Sequence, residues 1–231
     1  MSMRNAIKQK LRERAMLRFY RTVIRPGDLC FDIGANVGKH ISVFRACGAR
    51  VIAVEPQKKC AELLCTKFSG DPNVVVIEKA VGEKAGSGTL SVPPEKDAIA
   101  TLSSVWQTQG RFVGRFAHAI TENVEITTLD ALIALYGVPH FCKIDVEGFE
   151  ENALRGLTSP IPLVSFEFAI EFLDNAVRCA SLLESLGNRR FNYCVQERLQ
   201  WRMPEWNSKE AIIEHIKTHA EPLLWGDIYA S

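Results

Sequence analysis

Short apolar runs rich in Val and Ile recur along this chain, separated by stretches long enough for a helix. LCFDI (29–33) leads into a helical segment from about Val37 to Ala46, RVIAVE (50–55) into one through Leu63, Leu64 and Phe68, and NVVVIE (73–78) closes the first half. FCKIDV (141–146), PLVSFEF (162–168) and FNYCVQ (191–196) resume the rhythm, with helices expected across EGFEENALRGL and near 174–186, and LLWGDIYA as a last strand. Strands spaced by about 10–15 helical residues need crossover connections, and these impose a parallel sheet with helices packed on it. At 231 residues, one such α/β domain accounts for the chain.

The middle breaks the pattern. GTLSV (88–92) reads as a short strand that Pro93 and Pro94 interrupt, and TLSSVWQTQGRFVGRF mixes Gly, Ser and aromatics without a period. An insertion of this kind, about 83–123, is expected to be a loop or lid over a site. VEITT (124–128) is then a strand, followed by a helix at LDALIALYG that Gly137 and Pro139 end.

Residues 1–25 carry eight basic side chains against the single acid Glu13, while the remainder has an acidic excess, so the net charge of +1 conceals a separate cationic segment. Met16, Leu17, Phe19, Tyr20 and Val23 are spaced for one face of a helix that Pro26-Gly27 stops. We therefore divide the chain into a basic amphipathic helix (1–26), its apolar stripe packed on the domain, and an α/β domain (27–231). No base-reading motif accompanies these charges, so no nucleic-acid binding is expected. There is no apolar stretch of membrane-spanning length and no secretory leader, and seven cysteines lie scattered without a CxxC pair. A cytoplasmic enzyme with reduced, mostly buried thiols and no zinc site is the expectation.

CFDIGANVGKH forms a tight strand-to-helix turn with Asp32 and Gly34 at the strand end and Gly38 at the helix entry. A Walker loop is disfavoured, because only three residues separate Gly34 from Gly38 and His40 follows Lys39. A dinucleotide fingerprint is weakened by Asn36 at its second glycine position. The remaining pattern, DxGxxxG with an acid (Glu55) ending the next strand, is similar to the S-adenosylmethionine loop of Rossmann-like methyltransferases. An acid there can accept hydrogen bonds from both ribose hydroxyls.

A second block is more distinctive. TTLDALI, KIDVEGFEENALRGL and SFEF follow one another, joined by ANVG in the first loop, AVG at 80–82 and TLSS at 101–104. From about Gly27 to the C-terminus the sequence resembles the FkbM-like family of S-adenosylmethionine-dependent methyltransferases. The resemblance implies a Rossmann-like, doubly wound, mostly parallel seven-stranded sheet with helices on both faces. It also implies S-adenosylmethionine as cofactor and O-methylation of a hydroxylated small molecule such as a sugar or polyketide. Carried over by motif, the cofactor residues are Asp32, Gly34, Asn36, Gly38, Glu55, Ala80 and Val81, with Ser103 and Ser104 reaching in from the insertion.

Asp145 and Glu167 end neighbouring strands at the carboxyl edge, where open α/β sheets bind ligands, and are the candidate catalytic pair. They would share a base role or hold a hard cation such as Mg²⁺. Glu147 is read as answering the dipole of the helix that follows. Lys143 points to the opposite face from Ile144, and its charge calls for a partner carboxylate or a snorkelling stem rather than a catalytic role. Trp106, Phe112 and Phe116 either close over an acceptor or fill a core. A cofactor-binding module without acceptor chemistry and a nicotinamide-dependent oxidoreductase are the alternative readings.

Overall fold

The structure, a computed structural model, describes residues 3–94, 99–196 and 199–231, with side chains from residue 11 onward. The side chains of Arg4, Lys8 and Lys10, and residues 95–98 of the insertion, lie outside it. In the first half, α1 (Met3–Tyr20) precedes β1 (Leu29–Ile33), α2 (Lys39–Ala46), β2 (Arg50–Val54), α3 (Lys58–Phe68) and β3 (Val74–Ile77). The middle holds β4 (Ala80–Val81), β5 (Gly86–Val92), α4 (Ser104–Thr108) and β6 (Ile120–Thr127). Then come α5 (Leu129–Tyr136), β7 (Phe141–Ile144), α6 (Glu150–Arg155), β8 (Leu163–Ala169), α7 (Leu173–Leu186), β9 (Phe191–Val195), α8 (Lys209–Thr218) and β10 (Trp225–Ala230).

The main sheet has seven strands in the order β3-β2-β1-β7-β8-β10-β9. Its first five are parallel, and β10 inserts antiparallel between β8 and β9. The order reverses between β1 and β7, which makes the carboxyl ends of those strands the switch point of a doubly wound fold.

Alternation along each strand explains the two cores. Phe31 and Ile33 of β1 join Ile52, Val54, Cys142, Ile144, Val164 and Phe166 against the buried faces of α5, α6, α7 and α8. Cys30 faces the other way, with Val51, Ala53, Phe141 and Leu163, under α1, α2 and α3. Helix α1 docks there through Met16, Phe19 and Tyr20, followed by Ile24, all 6% exposed or less. Each such side chain contributes about 1.5–3 kcal/mol of burial, which holds a helix whose charges would otherwise favour solvent.

The insertion differs from the expected loop. β5 pairs antiparallel with β6 from Gly86–Ile126 to Val92–Ile120, and β4 joins the far side of β6 in a three-stranded sheet. Leu90 and Val92 alternate inward to meet Ala80 and Val124 in a small core of their own, which is why this segment is ordered as strand. Two further differences are short. α6 starts at Glu150 rather than Glu147, and α8 was not anticipated. Among the described residues no helix is long and apolar enough to cross a membrane.

Candidate active site

The carboxyl ends of β1, β2, β7, β8 and the start of β10 surround a cavity of about 340 Å³. One end is walled by the backbone of Gly34, Ala35, Asn36 and Val37, by Glu55, and by the apolar Ala80, Val81, Leu90 and Leu102. The turn is clipped to β2: the Gly34 and Ala35 amides donate to the Val54 carbonyl at 2.9 and 3.1 Å. Gly34 (φ +83°) and Gly38 (φ +75°) adopt left-handed angles that favour glycine, and Asn36 (φ +46°) sits between them.

Both glycines are required by close packing, and Gly34 also lines the cavity. A Cβ on Gly34 would run into the backbone carbonyl of Asp145, and one on Gly38 would stand 2.6 Å from Leu64 and 2.8 Å from Phe68. The ligand-facing surface is the rim of the turn, with Gly38 one layer beneath it. Asp32 is also beneath: it is 1% exposed, does not line the cavity, and its Oδ2 is buried without a hydrogen-bond partner. Burial pushes its carboxyl up to about 7.

Glu55 is 3% exposed. Its Oε2 accepts from the Asn36 amide and its Oε1 from the Gln57 amide, both at 2.8 Å, so the carboxylate is clamped broadside to the turn. Each oxygen keeps a second lone pair for a hydroxyl in the cavity. Burial raises the carboxyl to about 7 against the opposing pull of those two amides.

The other end is acidic with a buried cation at its centre. Lys143, 1% exposed, donates to Asp145 Oδ2 at 2.7 Å and pairs with Asp227 at 3.5 Å. Burial opposes the ammonium, but Asp145 and Asp227 outweigh it and hold it well above its usual range. Asp145, Glu147 and Glu167 can offer oxygens that lie within 4.8 Å of one another. Burial first, and then Asp145, push both Glu147 and Glu167 well above the usual carboxylate range. Glu167 Oε2 is buried without a hydrogen-bond partner.

Glu147 lines this cavity at φ +54° and is not a helix cap, since α6 begins three residues later. Its turn is built by Glu150, whose Oε1 accepts from the Val146 and Gly148 amides at 3.1 Å each, and by Thr101, which donates to the Glu147 carbonyl at 2.6 Å. That bond ties the insertion to the acidic turn. Ser103 and Ser104 do not line the cavity; Ser103 caps α4 by accepting from Trp106, while the neighbouring Ala100 and Leu102 face inward. Trp106 is core filler, packed at a tilt on Phe112 and Phe172 and against Gly148. His40 borders the cavity between Tyr20 and Phe44, with burial holding it well below its usual range.

Asp227 is the acid that sequence reasoning missed, along with Arg12, Lys39 and Trp225, which also line the cavity. A lone acid in the apolar strand WGDIYA, two residues from Tyr229 and thus on its face, was the available signal.

The model of the methyltransferase FkbM domain matches residues 32–193. A hexuronic acid methyltransferase, AglP of Haloferax volcanii, is 26% identical over 156 residues, covering 67% of this chain. The chain spans about 60% of the length of that curated relative. Among solved structures, Aeropyrum pernix fibrillarin with natively bound S-adenosyl-L-methionine aligns at a TM-score of 0.49 and 10% identity, covering 90% of this chain and 68% of that one. A precorrin-6y C5,15-methyltransferase from Geobacter metallireducens aligns at 0.47 and 12%, covering 95% and 86%. Likeness this distant carries no argument about function. The family match is different in kind, because it runs from the end of β1 into β9 and includes the glycine turn, Glu55 and the Lys143–Glu147 segment: the chain belongs to the methyltransferase FkbM domain family.

Proposed function

We propose that this methyltransferase uses S-adenosylmethionine to methylate an oxygen of a hydroxylated small molecule, a sugar foremost. The observation that carries the reading is the position of Glu55. Its clamped carboxylate lines the same cavity as the apolar Ala80, Val81, Leu90 and Leu102. A polar clasp in a cavity with apolar lining suits a nucleoside, with ribose hydroxyls on Glu55 and a flat base against the aliphatic side chains. The chain's residues fit such a cofactor. When bound it would supply a methyl carbon already attached to a good leaving group. The archaeal relative's name, a hexuronic acid methyltransferase, supports a sugar as acceptor.

At the other end, Lys143 fixes the orientation of Asp145 through Oδ2. Asp145 then accepts the proton of the acceptor hydroxyl as that oxygen gains its new bond to carbon. Glu147 and Glu167, held toward their neutral forms, donate hydrogen bonds that position the acceptor. The three carboxylates are hard oxygen donors of the type Mg²⁺ takes. Lys143 already supplies a cation to Asp145, and in our reading it fills the role a metal would play. Seven free cysteines, six of them buried, suit work in the cytosol.

The test is transfer of labelled methyl to a panel of hydroxylated sugars and metabolites by the native chain and by Asp145→Asn. The variant should lose about 10²–10⁴-fold in rate while retaining affinity for S-adenosylhomocysteine. Unchanged turnover would remove Asp145 from the chemistry.

A further inference from the structure

Helix α1 presents two different faces. One is docked: Met16, Phe19 and Tyr20 enter the core, and Arg12 and Met16 line the cavity. The face turned away carries Arg14, Arg18 and Arg21, four and three residues apart and all exposed, with Arg25 exposed just past the helix end. At 3.6 residues per turn this spacing aligns the first three in a row along the helix, opposite the buried stripe. Arg21 keeps the register, because its amide still donates to the Leu17 carbonyl at 3.1 Å.

None of these four guanidinium groups pairs with a carboxylate among the described residues. The nearby acids are turned elsewhere or engaged. Glu13 stands about 100° round the helix from Arg14 and has interactions of its own. Asp28 Oδ2 accepts from the Arg25 amide at 2.7 Å and lies 3.8 Å from His140. The row of charge therefore serves neither the fold nor the cavity, which takes Arg12 from the other side of the helix.

Three features choose the partner. The exposed face of α1 carries no aromatic side chain, so it lacks the stacking platform that single-stranded nucleic acid uses, and with its other face packed on the domain α1 cannot enter a groove as a free helix does. Leu11, 59% exposed, precedes Arg14 by three residues and Arg18 by seven, which sets it in line with them. An exposed leucine among arginines suits the boundary between lipid headgroups and acyl chains. The rest of the chain has an acidic excess, so an anionic surface attracts this face and repels the others. We infer that α1 is a peripheral docking surface for a bilayer rich in anionic lipid, held by Arg14, Arg18, Arg21 and Arg25 with Leu11 entering the headgroup layer. Docking sets the cavity wall formed by Arg12 and Met16 one helix thickness, about 10–12 Å, from the lipid. The inference is independent of which atom is methylated.

The full chain is mixed with vesicles of phosphatidylcholine alone and of equal parts phosphatidylcholine and phosphatidylserine, and bound protein is measured by flotation. Binding should be confined to the anionic vesicles and should fall as salt rises, since the attraction acts within a Debye length, about 10 Å at 0.1 M. Each arginine near such a surface changes partitioning by about fivefold, so Arg14→Gln, Arg18→Gln and Arg21→Gln combined should weaken it by about a hundredfold. Affinity for S-adenosylhomocysteine should be unchanged in that variant. The same three positions changed to Lys should keep vesicle binding, which separates loss of charge from loss of fold. Equal partition to neutral vesicles, no binding to either kind, full binding by the Gln variant, or equal loss in the Lys variant would each overturn the assignment. So would release from the anionic vesicles by a single-stranded RNA oligonucleotide at matched charge, which would give the row to nucleic acid instead.

Discussion

Lys143 Nζ lies 2.7 Å from Asp145 Oδ2, an ion pair two residues apart on one strand end, with the lysine side chain 2% exposed and the aspartate 30%. The pair explains a charge in the middle of an apolar strand. Replacing Lys143 by Met would leave Asp145 and Asp227 without their shared cation, and breaking a buried pair typically costs about 3–5 kcal/mol. We expect a loss near the lower figure, because Asp145 keeps some contact with water. Urea unfolding measures it, and a change within about 0.5 kcal/mol, the range of an ordinary surface substitution, would show that the pair is not structural.

Glu55 sets a pH dependence. Burial holds its carboxyl at about 7 without ligand, and ribose hydroxyls donate best to the ionised form. Affinity for S-adenosylhomocysteine should therefore rise with pH up to about 7, approaching tenfold per unit below it, and level off above. Glu55→Gln should bind more weakly and lose the slope. Calorimetry from pH 5.5 to 8.5 reads both, and a flat native profile would contradict the assignment.

The same raised groups act on stability with the opposite sign. Asp32, Glu55 and Glu150 are all held up to about 7 by burial, so the folded state keeps protons that the unfolded chain gives up near pH 4. Their stabilising contribution is complete below the unfolded values and is lost as pH climbs to about 7. Unliganded protein should thus melt at a lower temperature at pH 7 than at pH 5, and S-adenosylhomocysteine should recover part of the difference.

Gly34→Ala tests the turn. The new Cβ would meet the Asp145 carbonyl at a backbone angle of φ +83°, so both sterics and conformation oppose it. A loss of about 2 kcal/mol or more is expected in unfolding, together with weakened cofactor binding. Native stability in this variant would mean that the approach of β1 to β7 is looser than described.

If Lys143 supplies the cation at the acceptor end, turnover should persist in EDTA. Loss of activity in EDTA with recovery on Mg²⁺ would assign the cluster of Asp145, Glu147 and Glu167 to a metal instead.

Local signals in the sequence were reliable where one strand and its following turn decide the outcome. LCFDI, RVIAV and the acid at 55 sit where periodicity and turn chemistry placed them. Asp32 belongs to the same motif yet lies beneath the turn, because a strand's two faces are equivalent in a pattern buried on both sides. The lysine's charge needed a partner carboxylate or a snorkelling stem, and the sequence left that choice open because Asp227 comes from a strand more than eighty residues away whose insertion beside β8 has no local marker. Glu147 had the composition of a helix start, and only the reach of Glu150 back to the Val146 and Gly148 amides moves that start three residues on. The insertion misled because its inward alternation, Leu90 and Val92, is brief and bounded by Gly and Pro.

Calorimetric titration of the full chain with S-adenosylmethionine, beside NADH, tests the central claim most directly. Saturable binding near the micromolar range, about −8 kcal/mol, lost in Glu55→Ala and absent for NADH, is the predicted result. Saturable NADH binding without heat from S-adenosylmethionine would contradict the account.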